Sequence, residues 1–171
     1  MNISEAIQLI IGDTAFSNHP NIWADLGCGS GLFTYALANL LPKQSTIIAV
    51  DKSYQLLQES NSTGVRIEFL QANFEKDVLV LPPLNGILMA NSLHYVKDKK
   101  SLLERLQTHF NTNGRFIIVE YDTLNTNSWV PFPIDYPHLR ELFLELGFKK
   151  IEKIGVHPSI YGSNIYSCLV T

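Results

Sequence analysis

Glycines at alternate positions, Gly27, Gly29 and Gly31, stand between a short apolar run and the start of a predicted helix. Glycine permits positive φ and lets a ligand touch the backbone, while a helix N-terminus presents free N–H groups. We therefore predict that this turn forms a floor for a flat polar ligand. The alternative is a tight strand-to-helix turn without a ligand, but such a turn needs one glycine rather than three.

The spacing of these glycines distinguishes two kinds of nucleotide site. A dinucleotide site prefers Gly-x-Gly-x-x-Gly, which would require glycine at position 32, where Leu32 stands. The segment ADLGCGSG at residues 24–31 instead resembles the first motif of class I S-adenosyl-L-methionine-dependent methyltransferases at every defining position. The resemblance implies that this cofactor contacts Asp25, Gly27, Cys28, Gly29, Ser30 and Gly31.

A second stretch, AVDKS at residues 49–53, resembles the motif at the end of the family's second strand. The resemblance implies that Asp51 accepts both ribose hydroxyls in charge-assisted hydrogen bonds, with Lys52 beside it. The alternative role for Asp51 is a helix cap over Ser53 and Tyr54.

Asn73 and Phe74 follow the third predicted strand, where family members often carry an aspartate that accepts from the exocyclic amine of adenine. Asn73 departs from that pattern, but an amide oxygen also accepts hydrogen bonds. We therefore expect Asn73 to contact adenine and Phe74 to face the ring. The alternatives are an asparagine that forms a turn and a phenylalanine that belongs to the core.

The segment GILMANSLHYV at residues 86–96 resembles the family's fourth-strand region, which often carries histidine at the position of His94. We predict that Asn91 and Ser92 lie near the methionine part of the cofactor. A neutral His94 could take a proton from a substrate hydroxyl as a general base. The alternative is a histidine that packs in the core or starts a helix.

A long connection, residues 122–135, follows the fifth predicted strand, and long loops at the ligand end of such sheets are often functional. We expect Trp129 and Phe132 to wall an apolar substrate pocket, with Tyr161 of the last loop opposite. Residues 129–133, WVPFP, resemble a segment in small members of the family. The alternative is a loop that its aromatic side chains pin to the core.

Short apolar runs alternate with helical patterns along the chain, and these elements must position the residues above. Strands are predicted at residues 22–26, 47–50, 66–70, 87–90, 115–121, 149–154 and 164–170, and helices at residues 2–11, 31–41, 54–60, 99–110 and 136–146. The alternation predicts an α/β fold, a doubly wound three-layer α/β/α sandwich that is Rossmann-like. We expect a seven-stranded, mostly parallel sheet with an antiparallel last strand, in a single domain over residues 1–171.

Composition and charge exclude several classes of protein. Hydrophobic residues make up 46% of the chain, and the formal net charge of −3 is not the basic footprint of a nucleic-acid binder. No apolar run approaches the ~18 residues of a membrane span. No lysine or arginine precedes Lys43, so we expect no secretory leader or transit peptide. Because Cys28 and Cys168 are expected to stay reduced, the predicted location is the cytoplasm.

The function favoured by these residues is transfer of a methyl group from S-adenosyl-L-methionine to a small molecule, with no nucleic-acid, membrane or metal partner. A second hypothesis is a cofactor-binding module without catalysis of its own, which needs a partner chain. A homodimer is compatible with either hypothesis. Hydride transfer with a nicotinamide cofactor is a third hypothesis, which Asp51 fits but Leu32 does not.

Overall fold

The computed structural model describes residues 1–12, 16, 18–58, 62–159 and 163–171. Its strands are β1 (Ile22–Leu26), β2 (Thr46–Asp51), β3 (Arg66–Gln71), β4 (Leu84–Ala90), β5 (Phe110–Tyr121), β6 (Ile151–Pro158) and β7 (Asn164–Val170). Its helices are α1 (Ile3–Ile10), α2 (Leu32–Leu40), α3 (Lys99–Gln107) and α4 (Tyr136–Glu145), with a short 3-10 turn at Leu93–Tyr95. Among these described helices, none has the length and apolarity needed to cross a membrane.

All seven strands form one sheet in the order β3-β2-β1-β4-β5-β7-β6. Strands β1 to β5 pair in parallel, whereas β7 is antiparallel to both β5 and β6. The chain winds outward from β1 to β3 and then returns to β4, so the winding reverses between β1 and β4. Ligands of open α/β sheets bind outside the strand ends at such a point. The predicted fold class, including the antiparallel last strand, is confirmed.

Alternate residues of each central strand face opposite layers of helices. In β1, Trp23 packs in the apolar layer that includes α1 and α2, whereas Ala24 and Leu26 pack in the layer that includes α3 and α4. In β5, Ile117 belongs to the first layer and Phe116 to the second. Since strand side chains alternate with a period of two, strands covered on both faces become continuous apolar runs.

Polar residues fix where the helices begin. Asn2 caps α1, because its Oδ1 accepts from the N–H of Glu5 at 3.0 Å while its own N–H donates to the Glu5 carboxylate at 2.7 Å. Asp98 and Asp135 accept from N–H groups in the first turns of α3 and α4. Each cap contributes about 1 kcal/mol, so the loops that lead into α3 and α4 end at defined positions.

The helix predicted at residues 54–60 is wrong over residues 54–58, which are irregular; the rest lies outside the described residues. Leu56 is exposed, whereas the ring of Tyr54 contacts that of Phe69 on β3, and Leu57 packs against the layer that includes α1 and α2. A helix this short depends on tertiary packing, and these contacts hold the segment in its irregular path. The N–H of Gln58 donates instead to the hydroxyl of Tyr35 on α2, at 2.9 Å.

The helix predicted at residues 99–110 is too long, because α3 ends at Gln107 and β5 begins at Phe110. The ring of Phe110 meets that of Phe116 edge-on, with the centroids 4.8 Å apart. The pairing of β4 with β5 shifts register after Leu84, which accommodates the extra residues of β5. Packing of Phe110 against Phe116 thus outweighs its fit to the helical pattern.

Candidate active site

The glycines of the turn after β1 serve different purposes. A Cβ at Gly27 (φ +83°) would lie 2.5 Å from the Cβ of Ser92, and one at Gly31 (φ +89°) would lie 2.8 Å from the side chain of Leu57. A Cβ at Gly29 (φ +50°) would meet no atom of the described chain within 4 Å. Gly27 and Gly31 therefore permit close packing within the protein, and Gly29 leaves an open surface for a ligand.

Asp51, the last residue of β2, holds this turn in place. One carboxylate oxygen accepts from the N–H of Gly29 at 2.9 Å, and the other accepts from the N–H of Ser53 at 2.9 Å. Residues 52–58 are not helical, so the helix cap that was the alternative role for Asp51 is wrong, and its bond to Ser53 holds a turn after β2. Each carboxylate oxygen has a further lone pair, so these two bonds are compatible with a ribose contact.

Asp25 and Cys28 are buried behind the turn. The Asp25 carboxylate accepts from the hydroxyl of Thr34 on α2 at 2.6 Å, and its other oxygen has no hydrogen-bond partner among the described residues. Burial raises the pKa of Asp25 to about 7, although the Thr34 hydrogen bond acts to lower it. Burial also raises the pKa of the Cys28 thiol to about 12. Both residues therefore contact the turn from the protein side, whereas Ser30 is exposed.

A cavity of about 300 Å³, which we call the glycine-turn cavity, opens where β1, β2, β3 and β4 end. The predicted cofactor residues that line it are Gly27, Asp51, Lys52, Asn73, Phe74, Asn91 and Ser92. Glu75, Tyr95 and Val96 complete its described lining, which does not include Asp25, Cys28, Gly29, Ser30 or Gly31. Residues at the ends of four separate strands thus meet at one cavity.

Asn73 uses its side-chain oxygen within the protein. Its Oδ1 accepts from the N–H groups of Glu75 and Lys76 at 3.1 and 3.3 Å, which is the turn-forming role given as its alternative. If adenine donates to Oδ1, this oxygen accepts from both adenine and the turn. The amide nitrogen of Asn73 can in addition donate to a ring nitrogen of adenine. Phe74 is half-buried and packs against the core layer that includes α3 and α4, so its core role is also present.

The residues after β4 connect two strand ends and present an unpaired acceptor. Ser92 is buried, and its hydroxyl donates to the carbonyl of Leu26 at 2.6 Å. Asn91 has φ +52°, and its N–H donates to the carbonyl of Val119 at 2.8 Å. The Oδ1 of Asn91 is buried without a hydrogen-bond partner in the described chain. Such an acceptor costs about 1–3 kcal/mol when unpaired, which points to a ligand at this position.

A second cavity, of about 440 Å³, lies beside the first and is lined largely by the connection between β5 and α4. We call it the loop cavity. Asn91 and Tyr95 line both cavities, so a ligand in one cavity lies next to a ligand in the other. The described lining of the loop cavity is Asn91, His94, Tyr95, Tyr121, Thr123, Asn125, Asn127, Trp129, Val130 and Ser163.

His94 has a buried carboxylate partner. Its Nδ1 lies 2.6 Å from Oε2 of Glu120, and its backbone N–H donates to Oε1 of Glu120 at 3.1 Å. Both side chains are buried. Because Nδ1 faces a carboxylate, it carries the proton of the neutral ring, and Nε2 is then an acceptor. The ring can therefore take up a proton at Nε2 while Glu120 holds its orientation.

Sequence reasoning missed Glu120 and several lining residues of the loop cavity. A signal for Glu120 exists, since it is the charged residue in the otherwise apolar run FIIVE at residues 116–120. A carboxylate in a strand buried on both faces needs a partner. Tyr95, at the end of the 3-10 turn, Tyr121, at the end of β5, and Thr123, Asn125 and Asn127 carry no comparable signal. Whether such residues line a cavity depends on the path of the backbone, which no local pattern shows.

The aromatic side chains of the connection do not pin it to the core. Trp129 is 78% exposed and lines the loop cavity, whereas Phe132 is 38% exposed and lies outside the described lining. Hydrogen bonds hold the loop instead: Asn127 Oδ1 accepts from the N–H of Trp129 at 2.8 Å, and the Phe132 N–H donates to the carbonyl of His94 at 3.0 Å. Tyr161, predicted as the opposite wall, lies outside the described residues.

Sequence comparison relates the chain to methyltransferases. A family described as "Methyltransferase domain" matches residues 23–155. A trans-aconitate 2-methyltransferase from Rhodopseudomonas palustris (strain BisB5) is 30% identical over 112 residues, which cover 65% of this chain and 43% of that protein. One from Pseudomonas paraeruginosa is 32% identical over 90 residues, covering 53% of this chain and 32% of that protein. The chain thus spans less than half the length of the curated relatives that it matches.

Solved structures share the fold. The 1,6-didemethyltoxoflavin-N1-methyltransferase of Burkholderia thailandensis, with bound 1,6-didemethyltoxoflavin and S-adenosylhomocysteine, has a TM-score of 0.65 at 18% identity, covering 89% of this chain and 71% of that one. The magnesium protoporphyrin IX methyltransferase of Synechocystis, with bound cofactor, has a TM-score of 0.66 at 13% identity, covering 99% and 78%. Because the methyltransferase-domain family matches well over half of the chain, the chain belongs to that family.

Proposed function

We propose that the chain binds S-adenosyl-L-methionine in the glycine-turn cavity and transfers its methyl group to a small molecule in the loop cavity. The observation that carries this proposal is that Asn91 and Tyr95 line both cavities, so a methyl donor in one faces an acceptor in the other. The family match over residues 23–155 supports methyl transfer over the hydride-transfer hypothesis.

The residues around the turn fit the cofactor. The open side of Gly29 accommodates a ligand against the backbone, and Asp51 has lone pairs for ribose hydroxyls beyond its two N–H bonds. The unpaired Oδ1 of Asn91 suits the ammonium group of the cofactor. Asp25 and Cys28 contribute from behind the turn. The proposed cofactor residues are those predicted from the sequence, Asp25, Gly27, Cys28, Gly29, Ser30, Gly31, Asp51, Lys52, Asn73, Phe74, Asn91 and Ser92.

The bound cofactor supplies a methyl group that its sulfonium already activates, so the protein contributes orientation and proton removal. We assign the role of general base to His94, whose Nε2 accepts the proton of an acceptor O–H or N–H. Glu120 fixes the tautomer through Nδ1 at 2.6 Å and stabilises the imidazolium that forms. Glu120 is therefore a positioning residue that acts through His94.

Calorimetry with S-adenosylhomocysteine tests the binding half of the proposal. Asp51→Ala should weaken binding about tenfold or more, because a hydrogen bond to a charged group contributes roughly 1.5–3 kcal/mol. Glu152→Ala is the matched control, since it removes a carboxylate from β6 at the far edge of the sheet, and it should bind like the unchanged chain. An Asp51→Ala variant with undiminished affinity would refute the ribose contact.

Transfer of labelled methyl groups from S-adenosyl-L-methionine to phenols, amines and small acids tests the catalytic part of the proposal. trans-Aconitate belongs in this panel, because two of the relatives are trans-aconitate 2-methyltransferases. Methylation of any member supports the proposal. Binding of S-adenosylhomocysteine with no transfer to any member would favour the second hypothesis, a binding module that needs a partner chain.

The wider predictions stay proposals. The sheet draws its strands from residues 22 to 170, which supports a single domain over residues 1–171. The net charge of −3 supports a small-molecule acceptor over a nucleic acid. Assembly as a homodimer or with a partner subunit, and a cytoplasmic location, stay predictions from the sequence.

A further inference from the structure

We propose that the loop cavity selects an uncharged ring compound with a hydroxyl or N–H group and rejects carboxylates. Because this selection names the substrate class of the same site, it depends on the proposed function. Three features of the cavity support it: the chemistry of its walls, the lack of lysine and arginine in its described lining, and the carboxylate behind His94.

The walls of the loop cavity consist of aromatic rings, amides and hydroxyls. The ring centroid of His94 lies 4.4 Å from that of Tyr95 and 6.0 Å from that of Tyr121, and Trp129 lies at the same cavity. Clustered ring faces favour a planar ligand. The volume of about 440 Å³ lies within the range of roughly 300–1,000 Å³ that small-molecule sites occupy.

The described lining of the loop cavity contains neither lysine nor arginine. The parts of the chain outside the description do not provide one either, since residues 13–15, 17, 59–61 and 160–162 include neither type. A carboxylate that leaves water for this cavity therefore has no lysine or arginine in its walls. Burial of an ionised carboxylate without a partner is strongly unfavourable.

Two lysines that contact the connection between β5 and α4 are already engaged. Lys99 donates to the carbonyls of Val96 and Phe132 at 2.8 and 2.7 Å, and burial lowers its pKa. Lys153 pairs with Asp122 at 3.2 Å. Each ammonium group thus binds the connection between β5 and α4 and is already paired within the protein.

Glu120 places a negative charge directly behind the ring of His94. Both carboxylate oxygens are engaged with His94, one at Nδ1 and the other at the backbone N–H. A ligand carboxylate near this pair would meet a like charge in a poorly solvated site, where charge repulsion is strong. A ligand O–H or N–H that donates to Nε2 of His94 would instead gain a hydrogen bond.

Ligand pairs that differ by one charge test this selection. With the chain saturated with S-adenosylhomocysteine, calorimetry compares para-hydroxybenzamide with para-hydroxybenzoate, and a small tricarboxylate serves as a further anion. We expect the amide to bind at least about tenfold more tightly than the acid. Asn125→Lys, at an exposed position of the lining, should reverse this preference, whereas Asn39→Lys on α2 should not.

Quenching of tryptophan fluorescence by charged quenchers tests the negative charge at the loop cavity and needs no bound ligand. Trp23 is 1% exposed and Trp129 is 78% exposed, so collisional quenchers report on Trp129 at the loop cavity. Relative to free N-acetyltryptophanamide, and with acrylamide as the neutral reference, caesium should quench more strongly and iodide more weakly. Asn125→Lys should increase quenching by iodide.

Tighter binding of the acid than the amide, or relative quenching by iodide that equals or exceeds that by caesium, would overturn the selection. If neither member of the pair binds, the quenching result decides. Failure of the chain to bind S-adenosylhomocysteine would refute the proposed function. Loss of charge selection in a chain that does bind it would refute the substrate class alone.

Discussion

Alanine substitutions at Gly27 and Gly29 should separate folding from cofactor binding. Both glycines have positive φ, +83° and +50°, where an L-residue costs roughly 1–2 kcal/mol. At Gly27 the new methyl group would also lie 2.5 Å from the Cβ of Ser92, and overpacking of this kind costs about 1–3 kcal/mol. We therefore expect Gly27→Ala to destabilise the fold by about 2–5 kcal/mol, and Gly29→Ala by only about 1–2 kcal/mol.

Two assays measure these effects. Urea unfolding without ligand gives the free energy of unfolding, and a double-mutant cycle of Gly27→Ala with Ser92→Gly should show a coupling of about 1–3 kcal/mol. Calorimetry gives the affinity for S-adenosylhomocysteine. Gly29→Ala should weaken it about tenfold, or about 1.4 kcal/mol, because the added methyl group occupies the open side of the turn.

The outcomes distinguish the two parts of this reasoning. If Gly27→Ala and Gly29→Ala lose the same stability, contact with Ser92 does not explain the glycine at position 27. If Gly29→Ala keeps its full affinity, the cofactor does not lie against the open side of the turn.

Three further predictions concern other residues of the site. The pKa of Asp25 is about 7 in the fold against an ordinary 3.8, so the folded state binds more protons than the unfolded state between these values and stability falls as pH rises through that window. The free energy of unfolding of Asp25→Asn, relative to that of the unchanged chain, should therefore rise from about pH 4 to 7 and stay constant above. Urea unfolding at several pH values measures this difference; the same difference at every pH would contradict a buried acid at position 25. Glu120→Gln should lower kcat by about 10- to 100-fold and change its pH profile without changing the affinity for S-adenosylhomocysteine, with Glu152→Gln as the control; an unaltered profile would argue against the His94–Glu120 pair. Trp129→Ala should leave the free energy of unfolding within about 0.5 kcal/mol yet weaken acceptor binding to the cofactor-loaded chain, measured by calorimetry, and unchanged acceptor affinity would remove Trp129 from the site.

Positions that follow from local sequence could be predicted, and contacts that depend on distant partners could not. Gly27 directly follows β1 and Asp51 is the last residue of β2, and parallel strands bring their carboxyl ends together. Glu120 meets His94 across a separation of 26 residues, and no local pattern identifies that partner. Sequence reasoning therefore located the glycine-turn cavity more fully than the loop cavity.

The errors in secondary structure have the same origin. Residues 54–60 have enough apolar residues for a short helix, but the contacts of Tyr54 with Phe69 and of Gln58 with Tyr35 hold residues 54–58 in an irregular path. Phe110 continues the helical pattern of α3, yet contact with Phe116 in the sheet decides its conformation. In both segments tertiary contacts outweigh the local preference.

Asn91 and Tyr95 lie between the glycine-turn cavity and the loop cavity and line both; if ligands bind as proposed, these residues separate them. A displacement of these residues by one occupant changes the space and the hydrogen-bond acceptors that the other occupant meets. The two binding equilibria are then linked, and linkage is reciprocal: the factor by which the methyl donor changes affinity for the acceptor equals the factor by which the acceptor changes affinity for the donor. Titration of either ligand in the presence and absence of the other would measure that common factor from both directions.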